Sequence, residues 1–276
     1  MLNFTVNAER CVRCGQCSRD CPARIIVQKG AALPRIRKIQ EAMCLQCQHC
    51  LAICPKAAIS ILGRKPEDSL PLSAASFPDF ETMNRLVRSR RSIRQYKDEN
   101  VDPALLRRIL AALANAPSGV NRRELTFSLI DDKAVMQRFR DHVMKALAAA
   151  LAGNGIPEQR TLLHNAVPAY FDQGIDIIFR GAPHALIVSA PADAPCPRED
   201  IALALAYFEL LAQSAGLGTV WWGMFSMVLG MLPELKPLVG LPPNQLFYAM
   251  LFGVPAVRFA RTVQRDDAAV VRRIVI

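Results

Sequence analysis

Two copies of one cysteine pattern occupy the amino-terminal fifth of the chain. Cys11, Cys14, Cys17 and Cys21, followed by Pro22, spell C-x2-C-x2-C-x3-C-P, and Cys44, Cys47, Cys50 and Cys54, followed by Pro55, repeat it without deviation. Three cysteines spaced two residues apart wrap a loop around one cubane iron–sulfur cluster, while the fourth starts a helix directed towards a second cluster. Each run therefore serves both clusters. By this crossed rule Cys11, Cys14, Cys17 and Cys54 hold one 4Fe-4S cluster, and Cys44, Cys47, Cys50 and Cys21 hold the other. A pair of zinc sites is the rival reading, since cysteine pairs at this spacing also bind zinc tetrahedrally. Zinc, however, has no use for a fourth cysteine fixed by proline.

The rest of the composition agrees with a folded redox protein. With 276 residues, 51% hydrophobic and 21% charged, the chain can bury a substantial core. Eight of its nine cysteines fall within the first 54 residues at metal-ligand spacing, which points to reduced thiolates in place of disulfides. Leu2, Phe4 and Val6 alternate with polar neighbours, unlike a secretory leader, and a cytoplasmic location is expected. The formal charge of +10 raises the question of a polyanionic partner. Residues 1–63 contribute nine basic against three acidic residues, a net of +6. Eight thiolates with two oxidised cluster cores would remove about four of those charges. The other basic residues concentrate between Arg85 and Arg94 and between Arg258 and Arg273, a distribution better suited to an anionic cofactor than to nucleic acid. The uncharged stretch from Leu210 to Pro233 is interrupted by Gln213, Ser214, Gly216, Gly218, Gly223, Ser226 and Gly230 and lacks basic flanks, so it is read as a buried turn and not a membrane span.

The periodicities divide the chain into residues 1–63, a linker over 64–79 rich in proline, serine and charge, and a second domain over 80–276. In that domain Phe80, Met83, Leu86 and Val87 recur at helical spacing. Asp102 as cap and Pro103 at the first position announce a helix that must stop before Pro117. Strands are expected over 126–130 and 182–190, helices over 132–152 and 199–215, and short apolar runs over 220–225 and 247–252. The mixed-polarity region 153–179 is expected to form a lid on the substrate side, with Tyr170 and Phe171 as candidates.

Arg90, Arg91, Ser92 and Arg94 place three guanidinium groups and a hydroxyl within a few residues, a donor set suited to phosphate oxygens. The motif R-R-S-x-R-x-Y at 90–96 is followed by A-P-S-G-V-N at 116–121, G-L-G-T-V-W-W-G at 216–223, and F-G-V-P-A ahead of Arg258 and Arg261. In order and spacing this series resembles the nitroreductase family over about residues 81–270, and the first domain resembles the bacterial two-cluster ferredoxins over residues 5–62. The resemblance implies an α+β fold with a mostly antiparallel central sheet, assembled as a homodimer with FMN at the subunit interface. It further implies that Arg90, Arg91, Ser92 and Arg94, assisted by Arg258 or Arg261, hold the phosphate and ribityl side of FMN. Pro117, Ser118 and Asn121 would reach the cofactor from the partner subunit, and Leu217, Gly218 and Thr219 would lie against the ring. The sequence departs from the family after Asn121, where Arg122, Arg123, Glu124 and Leu125 stand in place of Gln-Pro-Trp. Trp221 and Trp222 are expected in the core.

Flavin chemistry resides in the cofactor, so no side-chain acid or base is assigned, and His49, His142, His164 and His184 form no triad. His49 is expected to pack, and Cys196 to be an unreactive thiol. Single electrons are expected to enter through the two clusters, collect on FMN, and leave in pairs to a nitroaromatic, quinone or activated alkene. No G-x-G-x-x-G follows a strand, so NAD(P)H would have to enter the flavin pocket itself, and a reduced ferredoxin is the other candidate donor. The alternatives are a non-enzymatic redox sensor or electron carrier, and reversed flow from substrate to a ferredoxin partner.

Overall fold

A computed structural model describes residues 2–265 and 269–276. Its chain separates into two units: Met1–Pro78 with Val120–Arg122, and Asp79–Gly119 with Arg123–Ile276.

The first unit has almost no regular structure. Two-residue strands β1 (Thr5–Val6) and β4 (Ile59–Ser60) pair antiparallel, as do β2 (Ile26–Val27) and β3 (Arg35–Ile36). Two short helices, α1 (Gln16–Asp20) and α2 (His49–Ala52), follow left-handed Gly15 and Gln48. Leu2, Ile25, Ile26, Leu51, Ile59 and Ile61 are buried together with Cys17 and Cys50. Residues 64–68 belong to this unit, since Ile61 and Arg64 bridge and Arg10 forms an ion pair with Glu67.

The second unit is an α+β layer structure. Its helices are α3 (Phe80–Ser89), α4 (Pro103–Ala112), α5 (Lys133–Ala152), α6 (Thr161–Gln173), α7 (Pro197–Ser214) and α8 (Gly223–Met231). Its strands are β5 (Thr126–Ile130), β6 (His184–Pro191), β7 (Gly218–Trp221) and β8 (Gln245–Gly253). They form one sheet in the order β5-β6-β8-β7, antiparallel throughout. Carboxylates start three helices. Asp79 accepts from Thr82 N at 2.9 Å, Asp102 from Ala104 N at 2.9 Å, and Asp132 from Ala134 N and Val135 N at 2.9 Å.

Strand β6 is buried on both faces, and its alternation divides the core in two. Leu186, Val188 and Ala190 pack with Ile201, Leu205 and Phe208 of α7 and with Leu106 and Ile109 of α4. Ala185 and Ile187 face Met136, Val143 and Leu147 of α5 and Phe225 and Val228 of α8. Trp222 is 1% exposed, stacks on Phe225 at 4.1 Å between centroids, and donates to the Ile178 carbonyl.

One expectation is corrected. The stretch read as a buried turn contains β7 and the nine-residue helix α8. The region 153–179, expected to be a lid, holds α6, which buries Leu163, Ala166 and Ala169, while Tyr170 donates to Asp141 at 2.7 Å. No helix among the described residues is long and apolar enough to cross a membrane.

Candidate redox sites

Two cavities in the first unit are walled by cysteines. One, of about 350 Å³ including space open to solvent, is lined by Cys21, Cys44, Cys47 and Cys50. The other, of about 340 Å³, is lined by Cys11, Cys14, Cys17 and Cys54. Each takes three sulfurs from one loop and the fourth from the other half of the unit. Among the described residues no three histidine, cysteine or carboxylate groups converge as for a single ion.

Local backbone geometry explains how short loops achieve this. Arg13, Gly15, Gln46 and Gln48 have φ of 58°, 72°, 52° and 60°, alternating along each loop with the cysteines they separate. Gln46 N donates to Cys44 Sγ at 3.4 Å and Ala58 N to Cys54 Sγ at 3.2 Å, contacts that favour thiolate. Burial acts in the opposite sense: it raises the Cys17 and Cys44 thiols and pushes Cys50 up to about 12. The neighbours that raise Cys17 further are Cys54, Cys14 and Cys11, and those that raise Cys50 are Cys47, Cys44 and Cys21. Thiolates gathered so closely repel one another, and coordination to iron offsets that repulsion. The donor set therefore fits the two clusters. His49, expected to pack, is exposed and lies 3.2 Å from Asp20.

In the second unit the edge of the sheet organises the arginine motif. Ser92 forms a parallel bridge with Thr219, and Ile93 N donates to the Thr219 carbonyl at 2.8 Å. The segment after α3 thereby becomes a short extension of the sheet beside β7. Gly218 is required there, because a Cβ would stand 2.5 Å from Ile93 Cγ1. Tyr96 bridges Pro255, and Lys97 N and Ala256 N bond to the carbonyls of Val254 and Gln95, so the stretch bearing Arg94 runs beside the one leading to Arg258.

Arg90 caps α3 and reaches Glu209 Oε1 at 3.1 Å. Arg91 donates to the carbonyls of Arg88 and Arg90, and its Nε is buried without a partner, a donor that an anionic oxygen would satisfy. Arg94, Arg258 and Arg261 are exposed. Three guanidinium groups, one of them bearing this orphaned donor, and a hydroxyl at one sheet edge fit a phosphate monoester.

Pro117 and Ser118 lie in the turn after α4, where Gly119 N donates to the buried carboxylate of Asp200 at 2.9 Å and Ser118 Oγ accepts from Arg123 N at 3.0 Å. Asn121 is not grouped with them. It belongs to the first unit, and its amide donates to the Leu45 carbonyl at 2.8 Å. Cys196 is half-buried at the start of α7, and among the described residues it joins no group of three metal-binding side chains.

Two buried carboxylates escaped sequence reasoning, Glu209 and Asp200. Glu209 Oε2 also accepts from Trp221 Nε1 at 3.2 Å, and Oε1 lies 3.4 Å from Thr219 Oγ1. One turn on, Gln213 donates to the Leu86 carbonyl and to Ser89 Oγ, so α7 fixes the end of α3 at two points. The available signal was a single acid within the otherwise apolar run of α7.

Residues 87–254 match the nitroreductase family, and residues 10–59 match the 4Fe-4S dicluster domain. A nitroreductase with bound FMN from Desulfitobacterium hafniense superposes with a TM-score of 0.55 at 22% identity, covering 71% of this chain and all of that one. An Escherichia coli K12 protein named for electron transport, YccM, is 40% identical over 52 residues, 19% of this chain. Iodotyrosine deiodinase 1 of Sus scrofa is 23% identical over 191 residues, 64% of this chain. The chain spans 13% and 64% of the lengths of these two curated relatives.

Proposed function

The chain belongs to the nitroreductase family and carries a 4Fe-4S dicluster domain, and we propose that it is an FMN-dependent oxidoreductase in which electrons supplied one at a time leave in pairs to an organic acceptor. The observation that carries this reading is the presence, in one polypeptide, of two four-cysteine cavities and a nitroreductase fold with an arginine-rich sheet edge. FMN supplies conversion between one-electron and two-electron transfer when bound.

The chain's own residues do the holding. The crossed cysteine sets anchor the two clusters. Arg90, Arg91, Ser92 and Arg94, with Arg258 or Arg261, bind the phosphate and ribityl side of FMN. Leu217, Gly218 and Thr219 form the wall for the ring. Pro117 and Ser118 complete the site from the partner in a homodimer, while Asn121 is held by the Leu45 carbonyl of the first unit. No side chain acts as nucleophile. The acceptor is a nitroaromatic, quinone or activated alkene, and the donor a one-electron carrier or NAD(P)H.

Anaerobic purification with iron, sulfide and flavin quantified per chain, followed by photoreduction and an acceptor screen in stopped flow, tests the reading. Cluster bleaching followed by flavin reduction and then reoxidation by a nitro or quinone compound is expected. Reduced clusters that never reduce FMN, or reduced FMN that no acceptor reoxidises, would sink it.

A further inference from the structure

The two cysteine cavities differ in their walls. Around Cys21, Cys44, Cys47 and Cys50 stand Ile25, Ile26, Ile36, Leu45 and Ile61, with no lysine, arginine, aspartate or glutamate. The cavity of Cys11, Cys14, Cys17 and Cys54 has Arg13 and Lys56 in its wall, and its Cys14 is the one exposed cysteine of the eight. Further cations adjoin it. The Arg19 guanidinium covers Gly15, with Nη1 2.9 Å from where a Cβ would be. Lys29 follows the lining residue Gln28, and Arg35 follows the lining residue Pro34. All five cations are exposed, and none forms an ion pair among the described residues. Nearby acids do not neutralise them, because Glu67 is engaged by Arg10 and Asp20 by His49. Val12, 57% exposed, offers an apolar contact beside them.

We infer that this face is the docking surface for an acidic one-electron carrier protein. Unpaired cations around an exposed sulfur and an apolar residue steer and orient an oppositely charged protein, giving fast, salt-sensitive and short-lived encounters. The negative charge of the cluster lies inside the ring of sulfurs, and the five side chains stand outside it, where a partner meets them first. A nucleic acid fits less well, since no aromatic side chain lines the cavity to stack a base. Arg24, Arg35 and Arg37 adjoin lining residues of the apolar cavity as well, but its wall itself holds no lysine or arginine and none of its cysteines is exposed, so carriers discriminate between the two. Each encounter oxidises the carrier by one electron and reduces the chain by one, so two encounters supply the pair that the acceptor takes up with its protons.

The inference rests on the proposed oxidoreductase reading, and binding separates the two. Anaerobic holoprotein is titrated with a purified acidic [2Fe–2S] ferredoxin at about 0.05 M and about 0.3 M salt. A roughly tenfold or greater weakening of Kd at the higher salt is expected. The double variant Arg19→Glu/Lys56→Glu is expected to weaken Kd at low salt by about tenfold or more and to slow reduction by the ferredoxin, with iron content and the rate of reduction by dithionite unchanged. Lys38→Glu, one such charge reversal in the turn leading to the other cavity, is expected to bind as the parent does. Should the double variant lose iron, Lys29→Glu/Arg35→Glu, neither of which flanks a cysteine, carries the test with the same expectation. Salt-independent binding, unchanged Kd in the charge-reversed variants, equal weakening by Lys38→Glu, or tighter capture of duplex DNA or phosphatidylglycerol vesicles at the same ionic strength overturns the docking inference. If instead the dithionite-reduced protein reduces no acceptor, the oxidoreductase reading fails whatever the titration shows.

Discussion

The guanidinium of Arg90 meets the buried carboxylate of Glu209 at 3.1 Å, joining the end of α3 to the middle of α7 across 119 positions of sequence. Glu209 is 6% exposed and serves Thr219 and Trp221 as well, so the arginine motif, the β7 turn and the first tryptophan share one acceptor. Removing it leaves three donors short of a partner in a largely dry site. Glu209→Ala is expected to lower stability by about 2–3 kcal/mol, in the range for hydrogen bonds to a charged group. It is also expected to weaken FMN binding through a wandering Arg90, whereas Glu209→Gln, which keeps acceptors for Trp221 and Thr219, recovers part of both losses. Urea denaturation and flavin-release titrations measure the two effects, and an Ala variant as stable as the parent would remove Glu209 from this role.

Paired cysteine replacements test the crossed assignment better than single ones. Cys21→Ala/Cys44→Ala strikes one cavity twice and is expected to leave about four of about eight iron atoms per chain. Cys11→Ala/Cys21→Ala strikes both cavities once and is expected to leave fewer. Uncrossed ligation, one cluster per run, predicts the reverse order, so iron and sulfide analysis of the two purified variants decides between them.

Gly218→Ala would set a methyl group 2.5 Å from Ile93 Cγ1 and 2.8 Å from its Cβ. Overpacking of this kind costs about 1–3 kcal/mol, and the extra Ile93→Ala change should restore part of it. Thermal unfolding of the single and double variants is the measurement, and strict additivity of the two losses would count against the contact.

His184 is fully buried, its Nε2 accepts from Val101 N at 3.0 Å, and burial holds its pKa below the ordinary histidine value. Between the folded and unfolded pKa values the unfolded chain binds the extra proton, so stability rises with pH across that window. Above about pH 6.5 the contribution is complete, and it is lost as the pH falls below that value towards the folded pKa. His184→Gln should flatten the dependence of unfolding free energy on pH between about 7 and 5. Equal slopes in parent and variant would assign the effect to other groups.

How much of this was legible in the sequence depends on the kind of signal. The start of α4 was announced by Asp102 and Pro103, and the cysteine grouping in the two cavities follows the crossed spacing rule read from the motif alone. Helix α8 gave no such sign: Gly223–Met231 is apolar on most of its surface, and a helix without a polar face has no periodicity to detect. Helix α6 was hidden by Pro168, which reads as a breaker but sits in a helix whose packed face holds it. Glu209 and Asp200 were illegible for a different reason. Their importance lies in partners 119 and 81 positions away, and nothing local marks a carboxylate that will be buried.

The exchange of fourth cysteines between the halves of the first unit also bears on how the protein is made. Cys17 has emerged long before Cys54, yet the cavity they share lacks a wall until the later residue is synthesised. The second cavity waits likewise for Cys50. Both receptacles are therefore finished within four residues of each other during translation, after all the other cysteines of the two runs have been made.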